Sequence, residues 1–453
     1  MMINDGHGDP RGYPPAKFLG GLVKRCSVYI AIAILLALSV AKFLYEDLYR
    51  LTYPVNDLTV PWVSSKSFVA GMNPYNDTQE FERIWAATSV TAKSGCRDFN
   101  CILHVYAMAY PPMSLPLIVP LAILPWRDAV YTYLAASTAL FVAVVLMLAH
   151  KLPRPWRDPR TLYLVAFALA MAPLHSGIHE SNLNTLIVAL VIAGATFMWT
   201  RPYLSGVALA AALCLKPPVA FLFFAYPWIR KKWKAAFTGL AACMVISFSS
   251  LLWMKFHHVE WFHSYIGSVA YWSTIGTSRF DAPGPGKFQM LNLQVLVFQL
   301  IHSSEWTNII SWSIFLVIAA VTAYLINSRV SDRNESVGLA AVAVLTLLPV
   351  YQRFYTAAIL VLVLFWAVEN WPLGRAKIAL LLMLPLLLPV AAMTQVGAFA
   401  EFVRRHELGS KFLWSAFFMP HVIWIELFLL LILLWSMALH DKAYIQELVE
   451  AGA

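Results

Sequence analysis

The chain has 453 residues, of which 60% are hydrophobic and 13% charged, with a formal net charge of +9. So little polar surface excludes a soluble globular protein of this length. The basic residues sit in short turns between apolar runs, where positive-inside bias and anionic lipid account for them without nucleic acid.

Apolar runs of about 20 residues recur from end to end, each able to cross about 30 Å of hydrocarbon as a helix, and strand-type alternation is absent. The expected fold is an all-α polytopic membrane protein with about 12 transmembrane helices, both termini on the inner side. Residues 1–22 read as a cytoplasmic tail, 23–440 as one transmembrane domain, and 441–453 as a second cytoplasmic tail. The first span, from about Val23 to Leu44, carries Lys24 and Arg25 at its start and lacks a small-residue cleavage site, so it reads as an uncleaved anchor.

An outer loop over 45–128 follows. It holds Tyr53-Pro-Val-Asn-Asp57, Gly71-Met-Asn73-Pro-Tyr75, Cys96-Arg-Asp-Phe-Asn-Cys101 and Tyr110-Pro-Pro112. Cys96 and Cys101 form a disulfide if that loop lies in an oxidising compartment, and otherwise remain two free thiols. The apolar stretch Tyr110–Trp126 is rich in proline. If it crossed, the basic turn Lys151–Arg160 would fall outside, so it is expected to stay on the outer face.

Spans are then expected near 129–149, 161–177 and 183–199, with the outer turn His175–Asn184 between the last two. Residues 203–229 hold two short apolar halves broken by Lys216-Pro217-Pro218. Prolines frustrate the helix ladder there, so the break should face protein or a water-filled cavity. A span near 235–254 leads to a second outer loop, 255–305, with Arg279, Asp281 and Lys287. Further spans fall near 306–326, 336–350, 356–370, 378–395 and 420–439, and Tyr351-Gln-Arg353-Phe-Tyr355 is an outer turn.

Under this topology Asp57, Glu180, Asn184, Lys216, Arg279, Lys287 and Arg353 gather on one side. Ionisable groups near membrane depth are costly and tend to face a cavity, so a shared side implies a shared site. A carboxylate that accepts a proton from an attacking hydroxyl, facing cations that stabilise phosphate oxygens, suits transfer from a phosphate-bearing donor. Each residue also has a plainer reading. Asp57 fits a helix N-cap, Glu180 a solvated turn, Lys216 a snorkelling side chain, Arg353 an interfacial anchor, and Arg279 and Lys287 a solvated loop. His257-His258 lacks helical ligand spacing, and no metal or other cofactor is expected.

Asp57, the Gly71–Tyr75 and Tyr110–Pro112 motifs, Ser181-Asn-Leu-Asn184 and Leu215-Lys216-Pro217 together resemble the GT-C glycosyltransferases, in particular glycosyltransferase family 87, over roughly residues 40–235. That family includes polyprenol-phosphate-mannose-dependent mannosyltransferases. The resemblance implies an inverting transfer of a hexose such as mannose, or of a pentose, from a polyprenyl-monophosphate sugar to a lipid or glycan acceptor. It also implies an active site on the periplasmic face of a bacterial inner membrane, amid membrane lipids.

By the same resemblance Asp57 is the general base. Lys216, Arg353, Arg279, Lys287, Glu180, Asn184, Tyr110, Asn73 and Tyr75 bind donor or substrate. The family pattern Gly-Gln-x-Asn is altered here, with Ser181 and Asn182 in its first two places. A His often stands where this chain has Gln352, and His104 or His179 would have to take its place. Two other functions compete, a lipid or glycan flippase and an O-antigen ligase or polymerase. A flippase predicts matching broken helices in two halves, and Lys216-Pro-Pro218 has no such partner. A ligase would lean on loop Arg and His residues with no need for Asp57.

Overall fold

The computed structural model describes residues 15–44, 57–75, 108–153, 156, 158–274, 279–282, 285–332, 334–389, 401–402, 405–407 and 412–439. Cys96, Cys101, His104 and the Tyr53–Asn56 stretch lie outside these residues. In chain order α1 spans Pro15–Lys42, α2 Thr59–Val69, α3 Leu115–Ala122, α4 Trp126–Lys151, α5 Pro159–Ala170, α6 Ala172–His179, α7 Asn184–Phe197, α8 Pro202–Leu215 and α9 Pro217–Ile229. The second half holds α10 at Trp233–Phe256, α11 at Phe262–Thr274, α12 at Leu293–Ile301, α13 at Ser304–Arg329, α14 at Glu335–Leu347, α15 at Val361–Glu369, α16 at Gly374–Met383 and α17 at His421–Ala438. Prolines stand in the first turn of α3, α5, α6, α8 and α9, where a missing N–H leaves no bond unmade.

The protein is thus an all-α polytopic membrane protein, with no strand among the described residues. Among the described residues five helices are long and apolar enough to cross a bilayer, counting α5 and α6 as one helix kinked at Met171; apolar stretches of 10–17 residues accompany them, among them Ser27–Lys42 of α1. Two of the shorter ones, α8 and α9, are the halves of a hairpin broken by proline at Lys216.

At the α5–α6 break Pro173 has no N–H to give the Leu169 carbonyl, and Met171 leaves the helical region at ψ 124°. Side chains from elsewhere fill the gap. Ser39 Oγ and His175 Nε2 donate to the Leu169 carbonyl at 3.0 and 2.8 Å. Lys42 Nζ donates to the Ala170 carbonyl at 2.7 Å and to the Leu387 carbonyl at 2.6 Å. This lysine is buried, tying α1 to α5 and to the segment after α16.

The two halves of 202–229 lie side by side with α10. A Cβ on Gly206 would come within 2.6 Å of the Ala235 carbonyl and 2.7 Å of the Gly239 amide nitrogen, so α8 and α10 touch backbone to backbone. A Cβ on Gly239 would meet Phe224 of α9 at 3.1 Å. The hairpin tip, Lys216, is thereby held at the end of the bundle away from Gly206, which is the end that carries Asp57. Trp62 anchors α2 at that same end. It is 1% exposed, donates from Nε1 to the Leu121 carbonyl at 3.1 Å and packs edge to face on Trp126.

Gly206→Ala places a methyl against backbone atoms that cannot rotate away. It is expected to destabilise the protein by about 1–3 kcal/mol. Thermal unfolding in detergent measures this, and an unchanged midpoint would show that α8 and α10 part freely.

Candidate active site

Asp57 stands one residue before the N-cap of α2. That cap is Leu58, without any side-chain capping bond, so Asp57 does not serve as the helix cap. Instead it binds the turn between α6 and α7. Its backbone N–H donates to the Glu180 carbonyl at 2.9 Å, and its Oδ2 accepts from Asn182 Nδ2 at 2.6 Å.

The turn itself follows from local chemistry. Ser181 takes φ 48°, ending α6 in the left-handed region that favours glycine. The Ser181 and Asn182 amides then donate back to the carbonyls of Ile178 and Gly177 at 2.9 and 3.0 Å. Asn182 Oδ1 accepts the Asn184 N–H at 2.9 Å, which caps the entry to α7.

Two cations face the carboxylate. Lys216 leaves helical geometry at φ −150°, ψ 88°, and its Nζ lies 5.7 Å from the centre of the Tyr355 ring. Arg353 lies in the turn after α14, donates from Nε to the Tyr351 hydroxyl, and sits 5.9 Å from that ring's centre. Lys216 and Arg353 are within electrostatic reach of Asp57, and Lys216 also feels Arg353. Tyr110, Tyr133, Tyr351 and Tyr355 are likewise within electrostatic reach of that carboxylate. A carboxylate with two cations and an aromatic wall can take a proton on one side and hold an anion on the other.

Two amides beside this cluster are unsatisfied. Asn184 is fully buried, and neither its Oδ1 nor its Nδ2 has a partner. Gln352 is also fully buried; its Oε1 accepts from the Thr356 hydroxyl at 3.2 Å while its Nε2 has none. Buried polar atoms are nearly always paired, so unpaired ones near a charged cluster point to groups that a ligand completes.

The remaining sequence-derived residues divide into supports and a separate cluster. Asn73 donates to the Glu260 carbonyl and to Ser264 Oγ, both at 3.0 Å, and Tyr75 donates to the Tyr110 carbonyl at 3.1 Å. They tie the stretch after α2 to α11 and its approach, and Tyr75 reaches the site through the Tyr110 carbonyl. Glu180 offers Asp57 its backbone carbonyl, while its carboxylate is 42% exposed and 3.9 Å from His179.

Arg279 and Lys287 gather around Asp281 rather than Asp57. The Arg279 guanidinium forks onto Asp281 with two contacts of 2.8 Å, holding that carboxyl down to about 2, and Ser304 donates to it at 2.8 Å. Lys287 Nζ lies over the rings of Phe288 and Phe298, 5.5 Å from each centre. This cluster still adjoins the site through the backbone. Leu291 donates to the Gln352 carbonyl at 2.9 Å, and Met290 bridges to Arg353.

Sequence reasoning singled out Asp57, Lys216, Arg353, Tyr110 and Asn184, which the fold brings together. It passed over Asn182, Tyr133 and Tyr355. Asn182 is the neighbour of a residue already chosen, and Tyr355 closes the turn that contains Arg353, so proximity in sequence was the available signal. Tyr133 lies within an apolar span and gave none.

An all-helical membrane protein with a carboxylate and two cations enclosed at one end of its bundle is the class these observations define. Residues 108–351, a little over half of the chain, match the model of glycosyltransferase family 87, and the chain belongs to that family. It is accordingly a membrane-embedded glycosyltransferase. The matched region begins after Asp57 and the Gly71–Tyr75 turn and stops two residues before Arg353. No curated protein matches the chain. A solved structure, ArnT from Cupriavidus metallidurans in the apo state, is similar at 13% identity and a TM-score of 0.39, over 94% of this chain and 80% of that one.

Because Arg353 faces Asp57 and Arg279 is committed to Asp281, Arg353→Ala is expected to lower glycosyl transfer far more than Arg279→Ala. The loss expected for Arg353 is about 100-fold or more, the scale of removing one charge-stabilising donor. Equal losses in a transfer assay would place Arg279 at the reacting centre instead.

Proposed function

We propose that the protein transfers a sugar from a polyprenyl-monophosphate donor to a lipid or glycan acceptor, with inversion, using Asp57 as general base. The observation that carries this reading is Asp57 held by Asn182 while facing Lys216 and Arg353. Asp57 takes the proton of an acceptor hydroxyl as that oxygen attacks the anomeric carbon. The bond from that carbon to the phosphate oxygen breaks, and its electron pair leaves with the polyprenyl phosphate. Lys216 and Arg353 stabilise the charge that gathers there, Arg353 through its forked donors. No step calls for a metal or cofactor.

The orphaned amides of Asn184 and Gln352 suit sugar hydroxyls, each of which both donates and accepts. Gln352, standing where the resemblance would place a His, would donate from Nε2 to a sugar hydroxyl rather than act as a second base. Lipid-borne donor and acceptor both meet the protein at the interface, so binding converts their encounter into a near-intramolecular reaction. A hexose such as mannose is the first donor to test and a pentose the second, on the periplasmic side of a bacterial inner membrane.

Asp57→Asn keeps the bond to Asn182 in outline and removes the base. It is expected to retain donor binding and to lose about 100- to 10,000-fold in turnover, the range for a general base. Turnover at the wild-type rate, measured with purified protein in nanodiscs and a panel of polyprenyl-phosphate sugars, would rule the base assignment out. Lys216→Met is expected to raise the donor KM by about tenfold or more by removing a charge-assisted contact to phosphate. An unchanged KM would reject its phosphate role.

A further inference from the structure

Asn182 is more than a neighbour of the base. Its side chain cannot be turned around, because the end that accepts the Asn184 backbone N–H at 2.9 Å has to be the carbonyl oxygen. The amide nitrogen is therefore the end at Asp57 Oδ2, 2.6 Å away, and its second hydrogen reaches the Tyr355 hydroxyl at 3.0 Å. The backbone is pinned as well, through its N–H to the Gly177 carbonyl at 3.0 Å and its carbonyl to the Tyr133 hydroxyl. Asn182 is only 4% exposed, so water does not compete for these bonds.

A fixed, buried N–H donor holds a carboxylate in one orientation. It engages only one of the two carboxylate oxygens, and no described residue bonds to Asp57 Oδ1. We propose that Asn182 is a positioning residue for the general base: it fixes the Asp57 carboxylate by occupying Oδ2, leaving Oδ1 to take the acceptor's proton. This rests on Asp57 being the base.

The groups facing Asp57 come from several elements. They are Lys216 at the α8–α9 break, Arg353, Tyr351 and Tyr355 in the segment after α14, Tyr110 ahead of α3, Tyr133 on α4, and the Glu180 backbone carbonyl on the turn that holds Asn182. All of them are unchanged in variants at position 182. A difference between such variants therefore reports Asn182 itself.

The test is the split between kcat and donor KM for the full-length protein in nanodiscs, comparing wild type, Asn182→Ala, Asn182→Asp and Asp57→Asn. Asn182→Asp keeps an oxygen for the Asn184 N–H but has no N–H to offer Asp57. Both variants at position 182 are expected to lose about tenfold or more in kcat, the scale of one hydrogen bond to a charged group, with donor KM changed less than about threefold.

A purely structural Asn182, needed only to hold the Asn184 N–H, would be rescued by Asn182→Asp, and wild-type kcat in that variant overturns the proposal. Should Asn182→Ala fail to fold by thermal unfolding, the nearly isosteric Asn182→Asp decides the question alone. The two levels separate cleanly. Wild-type turnover in Asp57→Asn sinks the base assignment, whereas an inactive Asp57→Asn with wild-type kcat in Asn182→Asp sinks only the role given to Asn182.

Discussion

A backbone or side-chain polar group removed from water must find a partner inside the protein, and in hydrocarbon the penalty for failing is several kcal/mol per group. That constraint organises this molecule. Its apolar runs are interrupted by proline at places where a soluble protein would simply let water in. At Met171 the freed carbonyls are met by Ser39, His175 and Lys42, so a break in one helix becomes a three-helix joint. At Lys216 the break becomes the tip of a hairpin, with α8 pressed against α10 through Gly206 and Gly239.

The same constraint concentrates polar chemistry at one end of the bundle. Asp57, the 180–184 turn, Lys216 and the 351–355 turn come from four distant stretches, and each is set by its own local device: a buried Trp62 behind Asp57, a left-handed Ser181, a proline break, and a backbone pairing with Met290 and Leu291. Rigid supports matter for such a site. Donors already aimed at where charge develops need no reorganisation when the reaction occurs, and the aromatic walls keep the dielectric low around them.

Several residues show how far reading the chain could go. Asp57 and Lys216 were legible because an acidic residue just beyond an apolar run, and a lysine ahead of two prolines, have few inexpensive placements near a membrane. Arg279 and Lys287 looked equivalent to Arg353 on the same grounds, since all three are cations in segments that the sequence assigns to one side. The fold separates them: Asp281, two residues from Arg279, takes its guanidinium before Asp57 can. Lys42 gave no signal in the sequence and is a buried joint, a role that depends on which carbonyls a distant proline leaves open.

By itself the sequence determined the class of the molecule: hydropathy and proline placement dictate a helical membrane protein, because apolar length and the need to pair backbone groups are local properties. It also determined which stretches are too polar for lipid. Only the tertiary structure decided the partnerships, namely that Asn182 rather than a helix end takes the Asp57 carboxylate, that Tyr355 lies between Asn182 and Lys216, and that α5 is tied to α1. Hydrogen bonds are settled within a few ångströms across more than a hundred residues of chain, and no local pattern of residues encodes that distance.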